Sequence, residues 1–309
     1  MTDTPHQPPA SALDPTRPLT RAELRAHGSS PVPSRRPPGR AGRNLPAAVA
    51  VGVALGLVVV AGLFIRREVF VAVVAVAVSL ALWELTTALA QRHIAVPLVP
   101  VTVGAWAMAV AAYTGGGQAL AVCFVLTGIG VVLWRSAEGG EDALRDVAGG
   151  VLAAAYLPLL AGFVPLMLAE PDGAWRVLTF VVVTVASDIG GYALGVVIGR
   201  RPMAPSVSPK KSWEGFAGSA IGCVVAGTTM LPLALDGPWW GGALLGLVVV
   251  LLATLGDLAE SMIKRDLGIK DMGSVLPGHG GVMDRLDSLV LTAPAVWLML
   301  HVLLRDVPK

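Results

Sequence analysis

The sequence predicts an all-α, polytopic integral membrane protein with about nine transmembrane helices. Of its 309 residues, 54% are hydrophobic and only 14% are charged, and the mean hydropathy is +0.70. This balance is typical of membrane proteins and not of soluble domains. A helix needs about 20 apolar residues to cross the hydrocarbon core. Nine runs approach that length: 45–65, 69–90, 94–113, 119–134, 149–169, 177–199, 215–235, 241–263 and 289–304.

The third and fourth runs are predicted to be separate helices and not one merged span. Gly115, Gly116 and Gly117 lie between them. Consecutive glycines disfavour a continuous helix, because each costs more conformational entropy than any other residue.

The first 44 residues differ in composition from the rest of the chain. They contain nine prolines and seven arginines, and such a segment cannot bury enough apolar surface to fold alone. We therefore predict a disordered cytoplasmic tail at 1–44 and a single membrane domain at 45–309.

The basic residues are distributed unevenly between the two predicted sides of the membrane. With the tail inside, the tail and the loops after the second, fourth, sixth and eighth runs carry 18 of the 23 Lys and Arg residues. Cytoplasmic loops carry such an excess in membrane proteins. The N-terminus is therefore predicted to be cytoplasmic and the C-terminus to lie on the opposite side. A net charge of only +2 gives no indication of a nucleic-acid partner.

Charge is concentrated in one segment, 257–288, between the last two apolar runs. Its 32 residues include four Lys or Arg, six Asp or Glu and one His. The polar residues at its start are spaced to line one face of a helix, and a charged stripe within a membrane does not face lipid. These residues are Asp257, Glu260, Ser261 and Lys264. The spacing alone leaves two interpretations open, a buried ion-pair network and a polar site.

A second acidic pair, Asp284 and Asp287, lies one turn apart at the start of the ninth run. Helix N-termini favour negative charge and bind anions. The glycine-rich run before this pair includes His279, and glycines let a backbone approach an anion closely. Carboxylate oxygens beside fixed cations suit Mg²⁺ bridged to a polyphosphate. The neighbouring cations are Lys264, Arg265, Lys270 and Arg285.

The loop after the sixth run supplies further charges on the same predicted side. Asp188 lies within that run, where a carboxylate needs a partner. Lys210 and Lys211 follow in the loop, and lysine ammonium groups bind phosphate as point charges. Glu84, in the second run, is another intramembrane acid. It can be a structural hydrogen-bond partner, a proton site or a distant site residue.

At these residues the chain resembles the phosphatidate cytidylyltransferase (CDP-diacylglycerol synthase) family. The family signature is Ser-x-apolar-Lys-Arg, then Lys-Asp, then His-Gly-Gly-apolar-x-Asp-Arg-apolar-Asp. This sequence has Ser261-Met-Ile-Lys264-Arg265, Lys270-Asp271 and His279-Gly280-Gly281-Val282-Met283-Asp284-Arg285-Leu286-Asp287. The motif around Asp188 and the run from Ser208 to Gly215 are similar to the family's as well. The resemblance therefore covers 180–290, the predicted core of the site.

The resemblance implies an enzyme that joins CTP and phosphatidic acid into CDP-diacylglycerol and pyrophosphate. A lipid phosphate oxygen would attack the α-phosphorus of CTP in line, with Mg²⁺ and a second, unidentified cation as cofactors. The resemblance also suggests a homodimer. We further predict that the protein lies in the lipid bilayer of the inner (plasma) membrane, and the distribution of basic residues predicts that its active site faces the cytoplasm.

Residue roles follow from the positions that match the signature. Asp257 and Asp284 match the family's metal-holding carboxylates, with Asp188 and Asp287 as supporting acids. The expected catalytic residues are Lys264, Arg265, His279, Asp284 and Arg285. The expected substrate-binding residues are Lys210, Lys211, Ser261, Lys270, Gly280 and Gly281. No general base is required, because a phosphate monoester is already ionised at neutral pH.

Other classes of protein are weighed against this interpretation. An ion-coupled transporter using Glu84, Asp188 and Asp257 would place acids near the membrane midplane on several helices, whereas the charges here crowd one face. A membrane scaffold would use them only structurally. A relative that acts on another lipid phosphate is compatible with the sequence, while the signature discriminates against a CTP-dependent lipid kinase.

Overall fold

The computed structural model describes residues 56–139, 142–273 and 281–305. The tail predicted at 1–44 and the first part of the first apolar run lie outside these residues. The described helices are α1 (Gly56–Ile65), α2 (Arg67–Ala90), α3 (Leu98–Glu138), α4 (Ala143–Leu168), α5 (Gly173–Ile198), α6 (Trp213–Leu235), α7 (Trp239–Leu267) and α8 (Met283–Leu303). Among the described residues, seven of these, α2 to α8, are long and apolar enough to cross a membrane. The prediction of an all-α membrane protein is confirmed, while the count of nine spans stays a prediction.

The longest helix, α3, divides into two segments at Gly116. This glycine has φ 73° and ψ −166°, a backbone conformation that glycine adopts without steric cost. The segments 98–115 and 117–138 pack side by side and antiparallel, since Gly104 lies against Thr127 and Gly130 lies near Pro100. The glycines therefore separate the third and fourth apolar runs, as the sequence predicts.

Helix α4 contains a π-helical turn, Ala155–Leu159, around Pro158. Proline lacks an N–H group and clashes with the preceding turn, so that the regular α-helical hydrogen bonding is interrupted there. Single π-turns within α-helices occur frequently at functional sites. Tyr156 lies on this turn.

A small β-hairpin between α5 and α6 is the exception to the all-α prediction. Strand β1 (Pro202–Ala204) pairs antiparallel with β2 (Ser208–Ser212). Ser212 then caps α6, because its Oγ accepts the N–H of Gly215 at 3.1 Å, a bond that satisfies one of the free donors of the first turn. Both lysines of the loop, Lys210 and Lys211, are therefore held on a strand at the start of α6.

The loops predicted to share one side of the membrane meet at one end of the helices. Arg265 Nε donates to the Val207 carbonyl at 3.2 Å, and Arg92 donates to the Asp266 carbonyl. Arg145 Nη2 donates to the Arg92 carbonyl at 2.7 Å. The loops after the second, fourth, sixth and eighth runs are therefore linked to one another, as the distribution of basic residues predicts.

The helices bury two large apolar clusters. One contains residues of all the described helices, most of them on α5 to α8, and includes Phe180, Val249 and Leu300. The other joins α2, α3 and α4 to the start of α8 and includes Leu82 and Met283. The first turn of α8 is thus packed on the core, although it carries charged residues.

Helices α5, α6 and α7 contact each other through glycine backbones. A Cβ atom on Gly190 of α5 would overlap the Gly218 carbonyl of α6, and one on Gly222 would lie 2.6 Å from the Ala186 carbonyl. Between α6 and α7, a Cβ on Gly246 would lie 2.5 Å from the Cys223 carbonyl. Small residues at helix interfaces permit this close approach in membranes.

These contacts predict that Gly190→Ala destabilises the protein. The added Cβ meets backbone atoms, which cannot rotate away, and overpacking of this kind costs about 1–3 kcal/mol. Gly128→Ala is the matched control, since nothing lies within 4 Å of a Cβ there and alanine favours a helix. Reversible unfolding in mixed detergent micelles measures both variants. Equal free energies of unfolding for the two variants would contradict the predicted contact.

Candidate functional site

A cavity of about 240 Å³ opens between α5, α6, α7 and the β-hairpin. We call it the lysine cavity, and its charged lining residues are Asp188, Lys210, Lys211 and Asp257. Lys211 Nζ forms an ion pair with Asp257 Oδ2. The structure therefore brings together, from three separate stretches of sequence, two lysines and two carboxylates predicted for the site.

Glycines give the lysine cavity its space. Gly191 and Gly195 of α5 and Gly215 of α6 line the cavity, where larger side chains would fill it. Ser219 also lines the cavity, and its hydroxyl donates to the Ser187 carbonyl at 2.7 Å. The result is a polar recess with positive charge on the hairpin side and negative charge on the helices.

A second group of charges, which we call the Lys264 cluster, consists of Glu260, Lys264 and Asp284. Lys264 Nζ donates to Glu260 Oε2 at 2.6 Å and to Asp284 Oδ1 at 2.9 Å. The side chains of Glu260, Lys264 and Asp284 are only 2%, 16% and 13% exposed. Asp284 Oδ2 also accepts the Gly281 N–H at 2.9 Å. This cluster joins α7 to the first turn of α8.

The lysine cavity and the Lys264 cluster are neighbours along α7. Asp257 and Glu260 are one turn apart and so share a face of the helix. Gly256 allows α8 to approach, because a Cβ there would lie 2.5 Å from the Asp287 carbonyl. Asp287 is buried, accepts the Ser288 N–H at 2.7 Å and interacts with Glu260. The acids predicted on α7 and α8 therefore face each other.

The carboxylate oxygens of these two groups have the chemistry to bind a hard divalent cation, although three of them pair with lysines. Within the described ranges, no three His, Cys, Asp or Glu side chains are grouped closely enough to hold an ion. Glu260 Oε1 is buried and has no hydrogen-bond partner among the described residues. Carboxylate oxygens are the ligands that Mg²⁺ prefers. Assignment of Mg²⁺ to Asp188, Asp257, Asp284 and Asp287 stays a prediction.

The other predicted site residues lie around these two groups. Arg265 is bonded to the hairpin through Val207, and Lys270 is exposed just after α7. Arg285 is exposed and lies close enough to Asp188 to interact with its charge. Ser261 is partly buried on α7. Two predicted residues, His279 and Gly280, fall outside the described residues.

Two polar residues that were not predicted as site residues, Glu84 and Tyr156, lie near the site. Glu84 is 1% exposed and bonded to the start of α8. The Tyr156 hydroxyl is buried without a hydrogen-bond partner in the described part of the chain, and it interacts electrostatically with Asp257, Glu260 and Asp287. A polar side chain beside Pro158 within an apolar run was the available signal for Tyr156.

An apolar cavity of about 190 Å³ lies near the Lys264 cluster, within the membrane part of the protein. It is bordered by α1, α2, α4, α5 and α8. Leu286 of its lining lies in the same helical turn as Asp284 and Asp287. Further lining residues include Phe70, Phe180 and Leu289. Apolar space thus lies next to the charged end of α8.

Comparison with known proteins matches residues 46–303 to a family described as "Cytidylyltransferase family". A protein of Mycobacterium bovis called "Phosphatidate cytidylyltransferase" is 41% identical over 91% of this chain and 96% of its own length. A protein of the same name from Mycobacterium leprae is 42% identical over 85% of this chain and 90% of its own length. One from Brucella suis is 36% identical over 59% of this chain and 66% of its own length.

Proposed function

The chain belongs to the cytidylyltransferase family, and we propose that it transfers the cytidylyl group of CTP to phosphatidic acid, forming CDP-diacylglycerol and releasing pyrophosphate. It is a nucleotidyltransferase of phospholipid biosynthesis. The observation that carries the proposal is the lysine cavity, in which Lys210 and Lys211 meet Asp188 and Asp257. Such a site suits a polyphosphate, since it offers cations to the phosphates and hard oxygen atoms to a metal.

The transfer is a single in-line displacement at phosphorus. An oxygen of the lipid phosphate forms a bond to the α-phosphorus of CTP, and the bond from that phosphorus to pyrophosphate breaks. No proton has to be removed from the attacking oxygen, because it is already ionised. Catalysis then depends on positioning and on stabilising negative charge.

The lysines and arginines supply the positive charge for this step. Lys210 and Lys211 would bind the phosphates of CTP in the lysine cavity. Lys264, Arg265 and Arg285 would bind the phosphates at the junction of α7 and α8, with Lys270, Ser261 and the backbone of Gly281 beside them.

Asp257 and Asp284 would hold Mg²⁺, with Asp188 and Asp287 as supporting acids, and the ion would neutralise charge on the pyrophosphate that leaves. A second cation belongs to the same proposal. The chemistry of these four side chains supports metal binding, because all of them are carboxylates. Glu260 adds a buried oxygen without a hydrogen-bond partner among the described residues.

The lipid substrate accounts for the membrane setting. The headgroup of phosphatidic acid has to reach the charged end of α7 and α8, while its acyl chains stay among apolar side chains. The apolar cavity beside Leu286 and Leu289 would accommodate part of an acyl chain next to that headgroup.

The proposal extends to topology and assembly. We place the site at the cytoplasmic face of the inner (plasma) membrane, with nine spans, a cytoplasmic N-terminus and a C-terminus on the opposite side. The excess of basic residues in the linked loops supports this orientation. We also propose a homodimer, on the resemblance to the family.

The reaction is tested with CTP labelled at either end of its triphosphate. Purified protein in detergent–lipid micelles with phosphatidic acid and Mg²⁺ is expected to move label from the α-phosphate of CTP into the lipid fraction. Label from the γ-phosphate is expected in pyrophosphate, and EDTA is expected to stop both.

The alternatives give different results in the same assay. Label from the γ-phosphate in the lipid fraction would indicate a CTP-dependent lipid kinase and would refute the proposal. Label from the α-phosphate that enters lipid only with another acceptor, such as a polyprenyl phosphate, would refute phosphatidic acid as the substrate and keep the cytidylyl transfer.

A further inference from the structure

Glu84 is a buried carboxylate on a helix that carries no other residue of the proposed site. It lies in the last third of α2, its exposed fraction is 1%, and its neighbours Leu82 and Leu85 belong to the apolar core. A buried carboxylate is costly unless hydrogen bonds compensate for its lost hydration. Its partners therefore indicate what it does.

The first partner is the N-terminus of α8. Glu84 Oε2 accepts the N–H of Met283 at 2.8 Å. Helix α8 has no side-chain cap of its own at Val282, so Glu84 supplies from a distant helix the acceptor that a capping residue normally provides. The negative charge also suits the positive end of the helix dipole.

Two glycines, Gly273 and Gly281, also pack closely against the same carboxylate. A Cβ on Gly281 would lie 2.6 Å from Glu84 Oε2 and 2.9 Å from the Gly273 backbone N. A Cβ on Gly273 would overlap Glu84 Oε1 and lie 2.7 Å from Glu84 Cγ. The carboxylate therefore contacts both Gly273, which follows α7, and Gly281, which precedes α8.

The chain of contacts continues from Glu84 to the site. Gly281, which packs on Glu84, donates its N–H to Asp284 Oδ2, and Lys264 donates to Asp284 Oδ1. Asp284 is one residue after Met283, the residue that Glu84 binds. Any shift of the first turn of α8 away from Glu84 would therefore move Asp284 relative to Lys264.

We propose that Glu84 is a positioning residue, which fixes the first turn of α8 and thereby sets the place of the Asp284 carboxylate. It acts through Met283 and Gly281 and does not touch substrate. This proposal depends on the proposed function only in the test that measures turnover. The hydrogen bond from Met283 to Glu84 can be tested without substrates.

The first test is hydrogen–deuterium exchange of the full-length protein in micelles without substrates. Glu84→Ala is expected to speed exchange at the first turn of α8 about 10-fold or more, the effect of losing a hydrogen bond to a charged group. Glu84→Gln keeps an acceptor for Met283 and is expected to stay close to wild type. Asp146→Asn is the control, because this buried acid bonds Ala95 and Arg135 away from the site. Unchanged exchange at α8 in Glu84→Ala would overturn the proposal.

The second test is a double-mutant cycle on turnover. Gly273→Ala is expected to lower kcat about 10-fold in the wild-type background, because the new Cβ displaces the Glu84 carboxylate, and to have almost no further effect in a Glu84→Ala background. KM for CTP is expected to change far less than kcat, since Asp284 and not the CTP-binding lysines is displaced. Additive losses would refute a shared mechanism through Glu84.

The two tests separate this proposal from the proposed function. A wild-type protein that makes no CDP-diacylglycerol would refute the function, while the exchange experiment would still decide whether Glu84 holds α8. If Glu84→Ala does not fold, the exchange test is made on Gly273→Ala alone. Exchange at the first turn of α8 as slow as in the wild-type protein would then overturn the proposal.

Discussion

The Asp257→Asn variant is expected to form CDP-diacylglycerol about 10³-fold more slowly than the wild-type protein, a loss comparable to removing one electrostatic contact to a reacting centre. Asp257 lines the lysine cavity and pairs with Lys211. An amide cannot offer an anionic oxygen to a cation, and it leaves Lys211 without its partner. Initial rates over a series of Mg²⁺ concentrations measure the effect, and we expect excess Mg²⁺ to restore little of the rate.

The stability of this variant should change little. The side chains of Lys211 and Asp257 are 27% and 28% exposed, and ion pairs of this kind contribute little to folding because solvent screens them. Asp266→Asn, on the exposed end of the same helix, is the control and should keep wild-type turnover. A wild-type rate in the Asp257→Asn variant would refute a role for this carboxylate in the reaction. That conclusion would stand even if Lys211→Met, which removes its ion-pair partner, were inactive.

The Lys264→Met variant is expected to lose both turnover and stability. Lys264 bridges Glu260 and Asp284, and removing the cation leaves two largely buried carboxylates side by side. Breaking a buried ion pair by removing one partner costs about 3–5 kcal/mol. Reversible unfolding in mixed micelles measures the loss of stability, and the labelled-CTP assay measures turnover.

A second variant separates the two effects of Lys264. Glu260→Gln combined with Lys264→Met removes one of the two repelling charges, so stability should recover in part while turnover stays absent. Arg200→Met, at the same end of the helices, is the control for the loss of a surface cation. Normal turnover in Lys264→Met would show that the Lys264 cluster is structural, the interpretation that the spacing on α7 leaves open.

Local periodicity was enough to predict that the charged residues of α7 lie on one face of a helix. The spacing of Asp257, Glu260 and Lys264 places them on one helical face, and α7 does present them together. The predicted eighth run ended at residue 263, whereas α7 continues to Leu267. Charged residues can extend a helix beyond the apolar stretch, which a count of apolar residues does not detect. For the same reason α8 begins at Met283 and not at the predicted residue 289.

Contacts between distant helices could not be predicted in this way. That Lys211 reaches Asp257 depends on the hairpin of Ser208–Ser212, and a loop with Pro209 and two lysines carries no alternating pattern of a strand. The contact between Glu84 and Met283 joins residues 199 positions apart. The sequence shows that a buried acid needs a partner, but only the packing of α2 against α8 identifies that partner.

The glycine contacts among α5, α6 and α7 have a consequence for how such an enzyme can change its substrate. Backbone atoms, and not side-chain volumes, set the spacing of these helices, which carry Asp188 and Asp257 on either side of α6. Exchanging apolar side chains elsewhere should therefore leave the nucleotide side of the site in place. We expect laboratory selection for a different lipid acceptor to accumulate substitutions at the apolar residues of α2, α4, α5 and α8 that line the apolar cavity, and to leave the glycines between α5, α6 and α7 as they are.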